Sequence, residues 1–237
     1  MRLKKHIPAL LALMLFAFSL HAQTAEEIIR AVRAKLDKVN DYEASGMMKT
    51  DVVFIKAPVA RVKVYYKKPG QLRIINQGGI SFVPKGSVNI SLNTIFVSSS
   101  GFDIIDAGKE SGTGFRIIKL LPKDENADIV LSTLYVDETQ SLVRKSKTTT
   151  KENGTYELEL TYGKYAEYGL ADRAVFSFNT KDYNLPRGVA FDYDDGAKKK
   201  TGGREPAGNP GKNKKGKVEI TYSAYTINKG VPDSVFQ

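Results

Sequence analysis

Cysteine and tryptophan are absent from this 237-residue sequence, and histidine occurs only twice. Without cysteine the chain has neither a disulfide framework nor a thiolate nucleophile. Both histidines, His6 and His21, lie within the first 22 residues. The rest of the chain therefore lacks the imidazole and thiolate groups on which catalytic triads and ordinary zinc sites depend. We expect no catalytic residues, no metal site and no cofactor.

The first 22 residues have the composition of a secretory signal peptide. Arg2, Lys4 and Lys5 form a basic start, residues 7–20 are almost entirely apolar, and Ala22 ends the segment. The apolar run is too short to span a bilayer comfortably, and no second apolar run follows it. We predict that residues 1–22 are removed and that residues 23–237 form one exported, periplasmic domain. A retained membrane anchor is the alternative.

The formal net charge of +10 comes from two short segments. Residues 1–22 hold three basic and no acidic side chains, and residues 198–217 hold eight basic side chains and one acidic side chain. The remainder of the chain is neutral, which argues against nucleic acid as a partner because such binding needs a basic surface on the fold itself. We expect residues 198–217 to be a mobile basic loop, either simply solvated or weakly attracted to anionic partners.

One amphipathic helix is predicted from Thr24 to Val39. Thr24 and Glu27 have the spacing of a capping box, in which each side chain accepts a hydrogen bond from the backbone of the other. Apolar residues recur behind this cap at intervals of three and four: Ala25, Ile28, Ile29, Val32, Leu36 and Val39. Such a stripe packs on a sheet. Whether it also covers a ligand cavity is left open by the sequence.

Residues 59–76 predict a β-hairpin with one apolar face. Apolar and polar residues alternate in both arms, which is the period-two pattern of a half-buried strand. Pro69 and Gly70 separate the arms, because proline cannot donate to a strand ladder and glycine tolerates turn conformations. Five apolar residues of the two arms share the dry face: Val62, Val64, Tyr66, Leu72 and Ile74.

Further strands are predicted on both sides of this hairpin. A long strand from Glu43 to Lys56 precedes it, and residues 80–83 form a short strand that leads into residues 84–101, interpreted as a mobile cover. Asn153 and Gly154 form a typical hairpin turn. The later strands are predicted at Phe115–Leu121, Ile129–Val136, Leu142–Thr150, Thr155–Tyr162, Val175–Asn179 and Lys217–Ile227.

Together these elements resemble the periplasmic outer-membrane lipoprotein-carrier family, with its LolA and LolB-like fold. The motifs that carry the resemblance are the KKPGQLRI corner, the hairpin at Asn153-Gly154, and a Phe-x-Phe followed by LPRGV. The resemblance implies a mainly β structure with α (α+β). It implies an incompletely closed antiparallel β-barrel whose concave apolar face is covered by an N-terminal helix and holds lipid acyl chains.

One position departs from the family's pattern. In the carriers an Arg directly precedes the corner proline and matters for handing the cargo onward. Here that position is Lys68. A lysine cannot make the same bidentate contacts as an arginine. The departure bears on strict carrier function more than on the fold.

The expected ligand site is an apolar wall. Each CH₂ group of an acyl chain contributes about 0.8 kcal/mol on burial, so such a ligand needs apolar area and few polar anchors. We predict that Lys68 and Arg73 meet a headgroup at the mouth, the alternative being ordinary solvated charges. The predicted wall residues are Met48, Val52, Phe54, Val62, Val64, Tyr66, Leu72 and Ile74, and ordinary core packing is the alternative for each.

Two functions remain open at this point. The first is a monomeric carrier that moves lipoprotein acyl chains or another lipid across the periplasm, between membrane-bound donor and acceptor proteins. The second is a stationary lipid-sensing or protein-interaction domain on the same fold. The sequence alone does not separate these two functions, and it does not identify the cargo.

Overall fold

The computed structural model describes residues 23–52, 55–56, 59–77, 101–152, 154–179 and 215–237. Several predictions fall outside these residues: the signal peptide, the short strand at 80–83, the cover at 84–100, Phe54, and the basic loop as far as residue 214. Helices and strands below are numbered in chain order within the described residues.

The predicted helix is present as α1, Ala25–Leu36, and its capping box is confirmed. The Thr24 N–H donates to Glu27 Oε2 at 2.9 Å, and the Glu27 N–H donates to Thr24 Oγ1 at 3.2 Å. The helix ends three residues earlier than predicted, where the Asp37 N–H donates to the carbonyl of Arg33 at 2.8 Å. Val39 consequently leaves the helical stripe and packs elsewhere.

The predicted strands that lie within the described residues are present in the predicted order, with shifted ends. The predicted strand 43–56 is divided into a long strand and a two-residue strand that folds back on it. The bounds are β1 Asp41–Val52, β2 Ile55–Lys56, β3 Ala60–Lys67, β4 Gln71–Asn76, β5 Phe102–Lys109, β6 Arg116–Pro122, β7 Ile129–Asp137, β8 Leu142–Thr150, β9 Gly154–Thr161, β10 Arg173–Asn179 and β11 Lys215–Ile227.

These strands form one antiparallel sheet, in the order β4-β3-β1-β11-β10-β9-β8-β7-β6-β5, with β2 paired to β1 alone. Within the described residues β4 and β5 are the two ends of this order and do not pair with each other. The sheet is therefore open. The predicted fold class, a mainly β structure with an incompletely closed barrel and one helix, is confirmed.

The edge strand β5 was not predicted from the sequence. Its residues, FDIIDAGK, do not alternate between apolar and polar. Only Phe102 is buried, Ile104 is partly buried, and the rest of the strand is exposed. An edge strand has a neighbour on one side only, so it needs less apolar surface than a central strand and gives a weaker pattern.

A bulge between β1 and β11 aligns the tyrosines of β11 on one face. Ser45 pairs with Ala224 but Gly46 pairs with Tyr222, which leaves Ser223 as an extra residue. An extra residue reverses the alternation of side chains, so Tyr222 and Tyr225 lie on the same face of the sheet. A Cβ atom on Gly46 would lie 2.6 Å from the main-chain oxygen of Thr221, which makes glycine necessary there.

The inner face of the sheet carries two apolar clusters. The first, the helix cluster, contains Ala25, Ile28, Ile29, Val32, Phe102, Ile118, Leu120, Leu134, Val136 and Val143. The second, the sheet cluster, contains Val39, Tyr42, Ala44, Met48, Val62, Val64, Tyr66, Tyr156, Leu170, Phe178, Val218 and Ile220. All the buried side chains of α1 belong to the helix cluster, which lies on β5 to β8. The helix therefore covers only part of the inner face.

The close approach at Gly46 gives the first prediction. Gly46→Ala should lower the free energy of unfolding by about 2 kcal/mol, because the added methyl group forces β1 and β11 apart. Chemical denaturation measures this change. Gly70→Ala is the matched control, since a Cβ there meets nothing within 4 Å. Equal stability of the two variants would contradict the register at the bulge.

Candidate functional site

The predicted wall residues that the structure describes lie together. Met48, Val62, Val64 and Tyr66 belong to the sheet cluster and are at most 2% exposed. Leu72 and Ile74 pack against the cluster and are partly exposed at its margin. The side chains of Val52 and Phe54 lie outside the described residues. The proximity of the six described residues follows from the confirmed hairpin; their role in binding stays a prediction.

Strand register explains how these side chains form one surface. Val64 pairs with Ala44 on β1 and with Ile74 on β4. Tyr66 pairs in the same way with Tyr42 and Leu72. Directly paired residues of an antiparallel sheet point to the same face, so the three strands present a continuous apolar surface.

Four tyrosine rings near Tyr66 form the part of this surface that was not predicted from the sequence. The Tyr42 and Tyr66 rings stack at 5.3 Å between centroids, and Tyr225 meets the Tyr42 ring edge-on at 5.3 Å. Tyr165 and Tyr222 contact Tyr225 at 4.9 and 5.1 Å. Alternation along β1 could have identified Tyr42. Tyr225 could not have been identified in this way, because the bulge that turns it inward depends on the pairing of β1 with β11.

Tyr42, Tyr66 and Tyr222 are uncharged at neutral pH. Burial, aided by the nearby Asp37 carboxylate, raises the pKa of Tyr66 to about 12. Burial also raises the pKa of Tyr222 to about 12 and raises that of Tyr42 well above its ordinary value. The Tyr225 hydroxyl donates to the carbonyl of Ala171 at 2.7 Å. The surface therefore combines large apolar rings with neutral hydroxyl groups.

The connection between β9 and β10 provides part of the cover over the sheet cluster. Tyr165 precedes the short 3-10 turn Ala166–Tyr168, and Tyr168 is the last residue of this turn. Both rings pack against the cluster, and Leu170 is buried within it. Gly169 adopts a left-handed conformation with φ of 66°, and a Cβ there would lie 2.9 Å from a methyl group of Leu36. This connection therefore lies against the end of α1.

Lys68 and Arg73, the predicted headgroup ligands, do not lie together. Lys68 Nζ donates to the main-chain oxygen of Asp37 at 2.9 Å and to its carboxylate at 3.4 Å, so it joins the β3–β4 corner to the end of α1. Arg73 pairs with Tyr65 on the outer face and donates to the main-chain oxygen of Gln237. No contact in the described residues tests binding of a headgroup by either side chain.

Among the described residues, no helix has the length and apolarity needed to cross a membrane. In the same residues, no group of three or more acidic or imidazole side chains is arranged to hold a metal ion.

An open antiparallel sheet with one helix on its apolar inner face defines a class of fold, and solved structures share it. A domain from Vibrio parahaemolyticus named for outer membrane lipoprotein sorting matches with a TM-score of 0.53 and 11% identity, over 90% of this chain and 97% of that one. A LolA superfamily protein from Nitrosomonas europaea matches with a TM-score of 0.54 and 11% identity, over 91% and 98%.

This chain therefore shares the fold of these structures, one of which belongs to the LolA superfamily, and the resemblance found in the sequence is confirmed at the level of fold. No family model matches the sequence, and no curated protein does so either.

The contact between Lys68 and the end of α1 gives the second prediction. Lys68→Met should lower the free energy of unfolding by about 1 kcal/mol. A cation that donates hydrogen bonds at the C-terminal end of a helix stabilises the negative end of the helix dipole, and methionine removes this interaction. Amide hydrogen exchange should also become faster in the last turn of α1. Lys119→Met, at an exposed position of β6, is the control. Unchanged exchange in α1 would show that the corner does not hold the helix.

Proposed function

We propose that this protein is a periplasmic lipid- or lipoprotein-binding carrier that holds acyl chains against the sheet cluster. The observation that carries the proposal is a second apolar cluster that α1 does not cover. The buried face of α1 packs entirely within the helix cluster, whereas the sheet cluster is bordered, within the described residues, by partly exposed aromatic and aliphatic side chains. An acyl chain would enter between the side chains at this margin.

The chemistry of the surface favours an apolar guest. Every buried side chain among the described residues is apolar, a tyrosine, a serine or a threonine, and none is charged. Transfer of acyl CH₂ groups to such a surface contributes about 0.8 kcal/mol per group, and a ten-carbon contact would offset the entropy of ordering the chain. A nucleotide or a charged sugar would find no buried counter-ion there.

The likeness to LolA superfamily structures supports the same proposal. It shows the fold alone, but the name of one similar domain refers to lipoprotein sorting. A carrier role further implies an exported protein, a membrane-bound donor and a membrane-bound acceptor. Lys68 stands where the carriers have arginine, so transfer to the acceptor is the step in which this chain is expected to differ from them.

Binding can be tested on adjacent residues of one strand. Ile74 packs on the sheet cluster, whereas Ile75 points to the outer face and is 39% exposed. Ile74→Asn should weaken binding of a synthetic triacylated lipopeptide to the delipidated protein about tenfold, because a polar amide replaces part of the apolar wall. Ile75→Asn should leave binding unchanged. Isothermal titration calorimetry measures both affinities, and circular dichroism verifies folding.

The outcomes separate the candidate functions. Failure of the unaltered protein to bind the lipopeptide would contradict the proposal, as would equal weakening by the two variants. When the loaded protein is mixed with acceptor vesicles, a carrier releases its cargo to them. Stable retention of the cargo, with a change in affinity for a partner protein, would instead indicate the lipid-sensing alternative.

A further inference from the structure

A group of hydroxyl side chains interrupts the apolar inner face on β7 and β8. Ser132 and Thr148 are fully buried, Ser146 is 1% exposed and Thr150 is 7% exposed. We call these four residues the hydroxyl patch. Buried serine and threonine side chains normally form hydrogen bonds, because an unpaired buried polar group costs free energy.

The hydrogen bonds within the patch are incomplete. Ser132 Oγ and Thr148 Oγ1 are 3.0 Å apart, and Thr150 Oγ1 donates to the carbonyl of Gly154 at 3.3 Å. Ser146 Oγ is buried and has no hydrogen-bond partner among the residues that the structure describes. Of the two hydroxyl groups in the Ser132–Thr148 pair, one donates to the other, which leaves the second donor without an acceptor among the described residues. The patch therefore retains donors for another molecule.

The patch lies between the two apolar clusters. Ser146 pairs with Leu134 of the helix cluster on one side and, on the other, with Leu158 of β9, which packs against the same cluster. Thr148 pairs with Tyr156 of the sheet cluster. A ligand that lies on the sheet cluster and extends toward α1 would thus meet the hydroxyl groups.

We infer that the hydroxyl patch is a polar subsite for an uncharged carbonyl or hydroxyl group of the bound lipid, such as the ester or amide linkage of an acyl chain. This inference rests on the proposed lipid-binding function. A carbonyl oxygen can accept from the Ser146 hydroxyl, for which the described part of the chain offers no acceptor. An ionised carboxylate or phosphate fits less well, because no charged side chain is buried among the described residues to neutralise it.

The test measures the binding of three probes, two uncharged and one charged, to residues 23–237. They are diphenylhexatriene, a fluorescent hydrocarbon without polar atoms; 1-monooleoylglycerol, a neutral ester; and oleate, a carboxylate. Ser146→Ala should weaken the binding of monooleoylglycerol about five- to tenfold, as expected for loss of one hydrogen bond. The affinity for diphenylhexatriene should stay unchanged. Fluorescence measures diphenylhexatriene binding directly and the other two by displacement.

Ser177→Ala is the matched control. Ser177 pairs with Glu157 and Lys217 on the face of β10 opposite to Phe176 and Phe178, so its loss should change none of the three affinities. The infrared stretch of a ¹³C-labelled ester carbonyl gives a second readout. Its frequency should be lower in the complex with the unaltered protein than in the Ser146→Ala complex, because the hydrogen bond weakens the C=O bond.

Each outcome is decisive. Equal monooleoylglycerol affinity and equal carbonyl frequency with and without the Ser146 hydroxyl would overturn the subsite. Tighter binding of oleate than of monooleoylglycerol would overturn its preference for an uncharged group. If the unaltered protein binds none of the probes, the proposed lipid-binding function itself fails, which is a different result from failure of the subsite alone.

Discussion

The structure depends on a mismatch between the width of the apolar sheet face and the width of the helix that packs on it. Adjacent strands lie about 4.8 Å apart, so ten strands extend over about 43 Å along the curved sheet. An α-helix with its side chains is about 10 Å across. Helix α1 therefore covers the β5 to β8 portion of the inner face and leaves the sheet cluster to other groups.

This mismatch divides the inner face into two parts with different chemistry. The helix cluster consists of aliphatic side chains and Phe102. The sheet cluster contains tyrosine rings, which can pack on a lipid and still satisfy their hydroxyl groups, as Tyr225 does through the carbonyl of Ala171. Two lysines fix the end of α1: Lys35 donates to the carbonyl of Gln140 between β7 and β8, and Lys68 of the β3–β4 corner donates to that of Asp37. The helix is thereby held in place.

Local rules were sufficient to predict the elements whose signals lie within a few residues. The capping box at Thr24 and Glu27 and the corner at Pro69 and Gly70 are of this kind. Local rules failed where the structure depends on pairing between strands that are far apart in the sequence. The bulge beside Gly46 turns Tyr225 inward only because β1 pairs with β11, and the exposed edge strand β5 carries too few apolar residues to be recognised.

The same distinction applies to the candidate site. Period-two alternation predicted that Val62, Val64 and Tyr66 lie on one face, since alternate side chains of a strand point to the same side of the sheet. Alternation could not show that α1 packs on the other half of that face. Nor could it show that the Ser146 hydroxyl is buried without a partner in the described ranges, because the burial of a side chain depends on the packing of neighbouring strands.

The central claim, that a lipid chain occupies the inner face beside α1, is tested most directly by locating the chain. A delipidated, methyl-labelled protein would be titrated with an acyl chain carrying a nitroxide at its end, and the methyl resonances would be followed by NMR. The account predicts strong paramagnetic broadening at Val62 and Val64 and little at Ile118 and Val136, which lie in the helix cluster. Broadening confined to the outer face, or none at saturating ligand, would contradict it.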